Sequence, residues 1–325
     1  MSKTDAIEIR IRGKNVYVPS AEICRHTVIV TGGWLKTARL HDEELVEGQI
    51  VPNPAAFLDE LKRQKIGADL LTFAQKPPMT TPLHPYYFEW DNWAAIPIVT
   101  FKDWWEGRLP QETRKNVRRA AKRGVIVKTV PFDDALVRGI KRIYDETPIR
   151  QGRRFWHYGK NLEAVRHENG TYLDRSEFIG AYIEDELIGF IKFIYTDDAA
   201  ILIQILTMNA HHDKRPMNAL LAHAVDVCEQ RKVSFLVYGQ YVYGAKQDSS
   251  LTEFKRRNGF EEIKFPRYYI PLSLKGKAAL GLRMHRGMQN LLPVRVSKFL
   301  RKGRSELWRY LGRSRGKVTQ EAGES

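Results

Sequence analysis

The most constraining feature of the chain is the order of elements between residues 178 and 272. Phe178–Ile183 reads as a strand, Glu184-Asp185-Glu186 as a turn and Leu187–Tyr195 as the strand that returns. Thr196-Asp197-Asp198 makes a second turn, and Ala199–Thr207 is a third, strongly apolar strand. A polar loop runs from Met208 to Arg215, and Pro216 opens a helix that continues to about Arg231. That helix carries Leu220, Leu221, Ala224, Val225, Val227 and Cys228 on its apolar face. Val233–Tyr238 is the next strand, Leu251–Asn258 a helix stopped by Gly259, and Phe260–Phe265 with Tyr268–Leu272 a closing β pair. Three hairpin-linked strands followed by a helix–strand alternation predict a mixed-sheet α/β fold.

The upstream part is sparser. Ile7–Val18 reads as one or two strands broken at Gly13-Lys14-Asn15, and Thr27–Thr31 as a short strand ending at Gly32-Gly33. Pro54 opens an amphipathic helix with Phe57, Leu58, Leu61 and Ile66 at helical spacing. Leu70–Phe73 reads as a buried strand, Pro77 to Pro85 as a loop, and Ala94–Val99 as a strand. Leu109-Pro110-Gln111-Glu112 starts a helix that Gly124 stops. Arg114, Lys115, Arg118, Arg119, Lys122 and Arg123 fall within about half its circumference, leaving Thr113, Val117, Ala120 and Ala121 to pack. Val125–Val130 is a strand and Phe132–Thr147 a helix. The loop after it, Pro148 to Tyr158, is rich in arginine and aromatic groups, which suit an anionic or ring-bearing ligand.

Charge separates the possible partners. The formal net charge is +15, and it is concentrated in two blocks. Residues 101–160 carry net +9 and residues 271–325 net +10, while residues 1–100 carry −1 and residues 161–270 carry −3. Such blocks attract anions or keep a surface solvated. Two cysteines, Cys24 and Cys228, exclude a disulfide framework and a Cys-rich zinc site. The start MSKTDAIEIR has no apolar core of a secretory signal, and no apolar run is long enough to span a bilayer, so a cytoplasmic location is expected. No Ser-His-Asp spacing, P-loop or metal-ligand cluster stands out, and no metal is expected.

The order strand–turn–strand–turn–strand–loop–helix–strand–helix–strand resembles the core of the GNAT acyltransferase fold. The resemblance is carried by the hairpin GAYIEDELIGFIKFIY (Gly180–Tyr195), the strand ILIQILT (Ile201–Thr207), NALL (Asn218–Leu221) and FKRRNGFEE (Phe254–Glu262). Upstream, FEWDNWAAIP (Phe88–Pro97), DWWEGRLPQETRKNVRRAAKRGV (Asp103–Val125) and PRYYIPL (Pro266–Leu272) are similar to the FemAB-like branch of that superfamily. That branch places a reduced GNAT-like unit before a complete one. The resemblance therefore implies a reduced unit over 1–125 ending in the basic helix, an acyltransferase unit over 126–272, and a basic amphipathic tail over 273–325. It also implies acyl transfer to an amine, from acetyl-CoA or another acyl-CoA in most GNAT enzymes. In FemAB relatives the donor is instead an aminoacyl-tRNA and the acceptor a cell-wall precursor. An amino sugar or an envelope-glycan precursor is the acceptor this branch implies.

By the same resemblance, the donor carbonyl would be polarised by a backbone N–H among Ile205, Leu206, Thr207 and Met208. A pyrophosphate would sit at the start of the Pro216 helix, near Lys214, Arg215 and Asn218. Tyr241 or Tyr243 would protonate the leaving group. Arg150, Arg154, Trp156, His157 and Tyr158 are the candidate acceptor-binding residues. The sequence departs from the family in one place. Typical phosphate loops read Arg/Gln-x-x-Gly-x-Gly/Ala, whereas this chain has His211-His212-Asp213-Lys214-Arg215-Pro216-Met217-Asn218-Ala219, without glycine. The loss leaves open a different acyl donor or a catalytically silent scaffold. The basic helix and the arginine/aromatic loop also fit an RNA- or tRNA-binding module. In the tail, Leu292, Val296, Phe299 and Leu300 have helical spacing among basic residues, a pattern that suits peripheral contact with an anionic membrane at the inner face. The pattern of residues leaves the oligomeric state undetermined.

Overall fold

A computed structural model describes residues 5–11, 14–150, 152–243 and 249–286. The chain begins with four strands: β1 (Asp5–Ile11), β2 (Lys14–Ile23), β3 (His26–Thr31) and β4 (Thr37–Leu40). Helix α1 (Pro54–Gln64) follows, then β5 (Leu70–Ala74) and β6 (Phe88–Pro97). Short α2 (Phe101–Asp103) leads to the basic α3 (Gln111–Lys122), β7 (Ile126–Val130) and α4 (Asp134–Asp145). A small hairpin, β8 (Ile149–Arg150) and β9 (Arg153–Arg154), precedes α5 (Leu162–Asn169). The expected strand–helix run comes next: β10 (Ser176–Ile183), β11 (Glu186–Thr196), β12 (Ala199–Thr207), α6 (Pro216–Gln230), β13 (Phe235–Val237), α7 (Ser250–Arg257) and β14 (Glu261–Pro271). Helix α8 (Leu274–Gly281) lies at the end of the described region.

Twelve strands form one sheet in the order β1-β2-β3-β4-β5-β14-β6-β13-β12-β11-β10-β7. Only two neighbouring pairs are parallel, β4 with β5 and β12 with β13. Each parallel pair spans a helical crossover, α1 in the first case and α6 in the second, as parallel neighbours require. The chain therefore builds the same motif twice: antiparallel strands, a crossover helix, and a parallel strand beside the last one. In the first copy the crossover helix starts at Pro54 and is capped by the Asn53 side chain on the Ala56 amide, 3.1 Å away.

Apolar alternation sets which helix covers which face. One core cluster joins α3 and α6 to the second motif through Ala120, Leu221, Val225 and Ile191. The opposite face is covered by α4, whose Val137, Ile140 and Tyr144 meet Phe190 and Met208. The first motif has its own core around Val30, Phe57, Phe73 and Tyr268. Gly189 lets the crossover helix come close. A Cβ there would lie 2.7 Å from Thr207 Cγ2 and 3.2 Å from Leu220 Cδ1.

Several expectations change. The closing β pair is one continuous strand, β14, with Pro266 inside it. The Pro266 carbonyl accepts from the Gln75 amide (2.8 Å), so its side of the backbone faces β5. The missing N–H therefore costs only the return bond to Gln75, at the end of the β5 ladder, while pairing with β6 runs on through Pro266↔Trp90. Strand β4, helix α5 and the β8–β9 hairpin were not expected from the sequence. On α3, Ala121 is exposed rather than packed. The amphipathic pattern at Leu292–Leu300 lies outside the described residues.

Candidate active site

Strands β12 and β13 pair only over Ala199↔Phe235, Ala200↔Leu236 and Ile201↔Val237. Beyond that point β12 stays on β11 as far as Thr207↔Gly189, while the chain after β13 leaves toward β6, where the Tyr238 amide meets the Ala94 carbonyl at 2.8 Å. The two parallel strands thus splay apart, and the β12 backbone from Leu202 onward has one unpaired edge. A register shift opposite Lys192/Phe193 leaves Ile203 bulged and exposed. The Met208 amide is held by the Ile188 carbonyl at 2.8 Å, on the β11 side. Alternation then turns the Thr207 and Ile205 amides to the open edge. Of the four residues expected to polarise a carbonyl, Ile205 and Thr207 therefore offer an amide, and the Met208 amide is engaged.

The loop after β12 is organised by a residue the sequence did not single out. Glu146, one residue beyond α4, accepts from the Asn209 amide at 2.9 Å and the Ala210 amide at 2.8 Å. Arg150 pairs with the same carboxylate at 2.9 Å and donates to the Thr207 carbonyl at 3.0 Å. Both side chains are largely buried. A short 3-10 segment, Asn209–Lys214, leads to Arg215 in the left-handed region (φ 59°) and to Pro216. Pro216 has no N–H, and the Asn218 amide bonds the Arg215 carbonyl at 3.2 Å. Asp213 is bound by Arg123 from the end of the basic helix, through both its carbonyl and its carboxylate. Lys214 lies 3.2 Å from His211 Nδ1, and Arg215 is exposed.

The opposite bank is formed by the chain after β13 and by α7. Asn218 in the first turn of α6 donates to Asn258 at the end of α7 (3.1 Å), tying the two banks together. Tyr241 is half-buried against the α3–α6 core, and Tyr243 is exposed at one edge. Burial raises the hydroxyl pKa of both. Gly239 has φ +57°, and a Cβ there would sit 2.6 Å from the Tyr243 hydroxyl. Lys255 of α7 is fully buried, its Nζ donating to the Gln240 carbonyl at 2.5 Å and lying 4.8 Å from the Tyr238 and Tyr243 ring centres. Burial pushes its ammonium pKa down to about 8. Nothing in a basic FKRR run marks one lysine as buried; its place five residues past Ser250, beside Phe254, is the only hint.

The arginine/aromatic loop divides. Arg150 reaches the end of β12, as described. His157 is buried, 3.3 Å from the Gln204 amide nitrogen of β12 and stacked near Tyr144. Gln204 also donates to the Tyr144 hydroxyl at 2.7 Å, and burial pushes that hydroxyl up to about 12. Arg154 is exposed on β9, and Trp156 and Tyr158 are exposed, with Lys160 Nζ over the Trp156 ring at 3.5 Å. Among the described residues no group of three or more His, Cys, Asp or Glu is placed to hold a metal ion, and no helix is long and apolar enough to cross a membrane.

No family model and no curated protein matches the sequence. Solved structures do. FemX is 12% identical with a TM-score of 0.55, over 86% of this chain and 90% of that one. L-PGS from Bacillus licheniformis is 14% identical with a TM-score of 0.53, over 82% and 88%. The C-terminal domain of a putative lysylphosphatidylglycerol synthetase from Agrobacterium fabrum is 13% identical with a TM-score of 0.51, over 82% and 87%. With its splayed parallel pair and its crossover helix, the chain has the GNAT fold.

Proposed function

We propose that the protein is an acyltransferase that moves an aminoacyl group from a tRNA ester to an amine. The observation that carries the choice of donor is Glu146. Its carboxylate holds the first two amides of the loop where a CoA pyrophosphate would be cradled. That carboxylate, paired with Arg150, already occupies both amides, and the glycine-free loop with Pro216 offers few others. The cations of α3 and β9 border the same region and suit a polyanion that lies across a surface rather than in a tight cradle.

In the transfer, the free amine attacks the ester carbonyl. The new C–N bond forms, the C–O bond to the ribose breaks, and the ribose hydroxyl leaves with a proton. The Ile205 and Thr207 amides face the place where the carbonyl oxygen becomes negative, and Lys255 contributes a positive charge from the other bank. One well-placed donor of this kind contributes about 3 kcal/mol to the transition state. Tyr241 or Tyr243 supplies the proton to the leaving oxygen and is restored by the proton that the attacking amine gives up, and Arg150 fixes the β12 terminus through the Thr207 carbonyl. The amine acceptor is an amino sugar or an envelope-glycan precursor.

Thermal denaturation with a panel of ligands tests the donor. Aminoacylated tRNA at a hundred times its dissociation constant stabilises the fold by about 2.7 kcal/mol, and acetyl-CoA at millimolar concentration does not. Binding of tRNA weakens linearly in log–log coordinates as salt rises. Stabilisation by several acyl-CoAs and none by tRNA overturns the reading; no stabilisation by either leaves the silent scaffold.

A further inference from the structure

A second cavity lies at the other end of β12, where the two motifs meet. It has a volume of about 220 Å³. Its walls are Phe73, Trp93, Phe235, Ile50, Met79 and Leu83, drawn from both halves of the sheet. The β11–β12 turn closes one side. Eight residues of β12 separate Ala199 in this wall from Thr207, so at about 3.3 Å per residue the cavity is about 26 Å from the Thr207 end of the open edge. It belongs to a different site.

One cation is buried in this apolar lining. The Lys76 side chain is 10% exposed, and its Nζ makes no hydrogen bond among the described residues. Its nearest carboxylate, Asp197 Oδ2, is 3.7 Å away and already accepts from the Gly48 amide at 2.6 Å. Nearby, Arg175 lies 3.4 Å from Glu47 and also donates to the Leu45 carbonyl, while Asp198 lines the cavity beside Asp197. Gln75 is spent as well, on the Met79 and Thr81 carbonyls and the Tyr268 hydroxyl. An ammonium with three donors, set in an aromatic pocket without a close acceptor, is costly unless an anion completes it.

We propose that this cavity binds a small apolar carboxylate, with Lys76 as its counter-ion and Phe73, Trp93 and Phe235 around its body. A dry cavity of about 150 Å³ holds one benzene ring, so this one holds a ring with a short chain, about ten non-hydrogen atoms. The ligand joins the loop after β5 to the β11–β12 turn and so clamps the two motifs.

The test uses three probes of one shape: 3-phenylpropanoate, 3-phenylpropan-1-ol and 3-phenylpropylamine. Binding to the full chain is followed by thermal shift and by tryptophan emission. The expected order is acid, then alcohol at least tenfold weaker, with no binding of the amine. The emission change disappears in Trp93→Phe. In Lys76→Met the order of acid and alcohol reverses. Equal binding of acid and alcohol to the unmodified protein overturns the proposal, as does no binding of the acid up to its solubility. The ranking on the unmodified protein decides the matter even if Lys76→Met fails to fold.

Discussion

Replacing Glu146 by alanine frees the amides of Asn209 and Ala210 and strips Arg150 of its carboxylate. Two outcomes follow. Stability falls by about 3 kcal/mol in urea denaturation, because a largely buried pair loses one partner. Affinity for pyrophosphate, measured by calorimetry, rises from undetectable to measurable, because the site then presents two amides and a guanidinium. Unchanged stability would show that the pair contributes nothing. Lys255 makes a prediction about pH. Its folded pKa is about 8, below the ordinary 10.5, so the unfolded chain binds more protons between those values. The contribution of Lys255 to stability therefore rises with pH from about 8 to 10.5, opposed above about 9 by the Cys228 thiol, which burial pushes up. Lys192, buried in β11 and held by the Asn169 and Thr171 carbonyls, is pushed down to about 8 as well and adds to the same rise. Lys255→Met flattens the rise without abolishing it, and an unchanged slope contradicts the burial assigned to this amine. These residues show why a site is harder to read than a fold. Glu146 acts across 63 positions on Asn209, and no local spacing announces such a contact. Lys255 sits in a run of cations that reads as a solvated face. Tyr241 and Tyr243 became candidates only through the order of elements, and Arg150 only through the arginine and aromatic content of its loop.

At the scale of elements, α6 rests on β11 through Gly189. Gly189→Ala drives a methyl toward Thr207 and Leu220 and costs about 1–3 kcal/mol by overpacking, seen as a lower urea midpoint. A wild-type midpoint would mean that α6 can shift without loss. The basic helix α3 is pinned by the Thr113 hydroxyl on the Arg257 carbonyl (2.7 Å) and by Ala120 in the core, which leaves Lys115, Arg118 and Lys122 exposed. Changing these three to glutamine weakens tRNA binding, lowers its salt slope by about two to three, and leaves the melting temperature within a degree or two. An unaltered slope removes α3 from the RNA surface. The elements themselves were mostly legible, because β-branched alternation and proline-opened helices are local signals. Pro266 misled for a physical reason: its missing N–H costs one bond at the end of the β5 ladder, and the strand is carried through it by the ladder to β6.

On the scale of the whole molecule, the charge of +15 resolves into two blocks of different standing. The first belongs to α3 and the β8–β9 hairpin and borders the splayed strands. The second falls mainly beyond residue 286, outside the described residues. The single sheet of twelve strands explains how two copies of one motif act together. Strand β14 joins them by pairing with β5 of the first and with β6, which itself pairs with β13 of the second. This joining was not legible from the sequence, because the partners lie far apart along the chain. The cleft is proposed to take an aminoacyl ester. The most direct test is the fate of label from two donors, radiolabelled aminoacyl-tRNA and radiolabelled acetyl-CoA, each offered with a panel of amino-sugar and glycan-precursor amines. Label is expected to pass from tRNA into an acid-stable amide only when the protein is present, with the transfer lost in Lys255→Met, and none is expected from acetyl-CoA. Transfer from acetyl-CoA by the unmodified protein, with tRNA inert, would contradict the proposal.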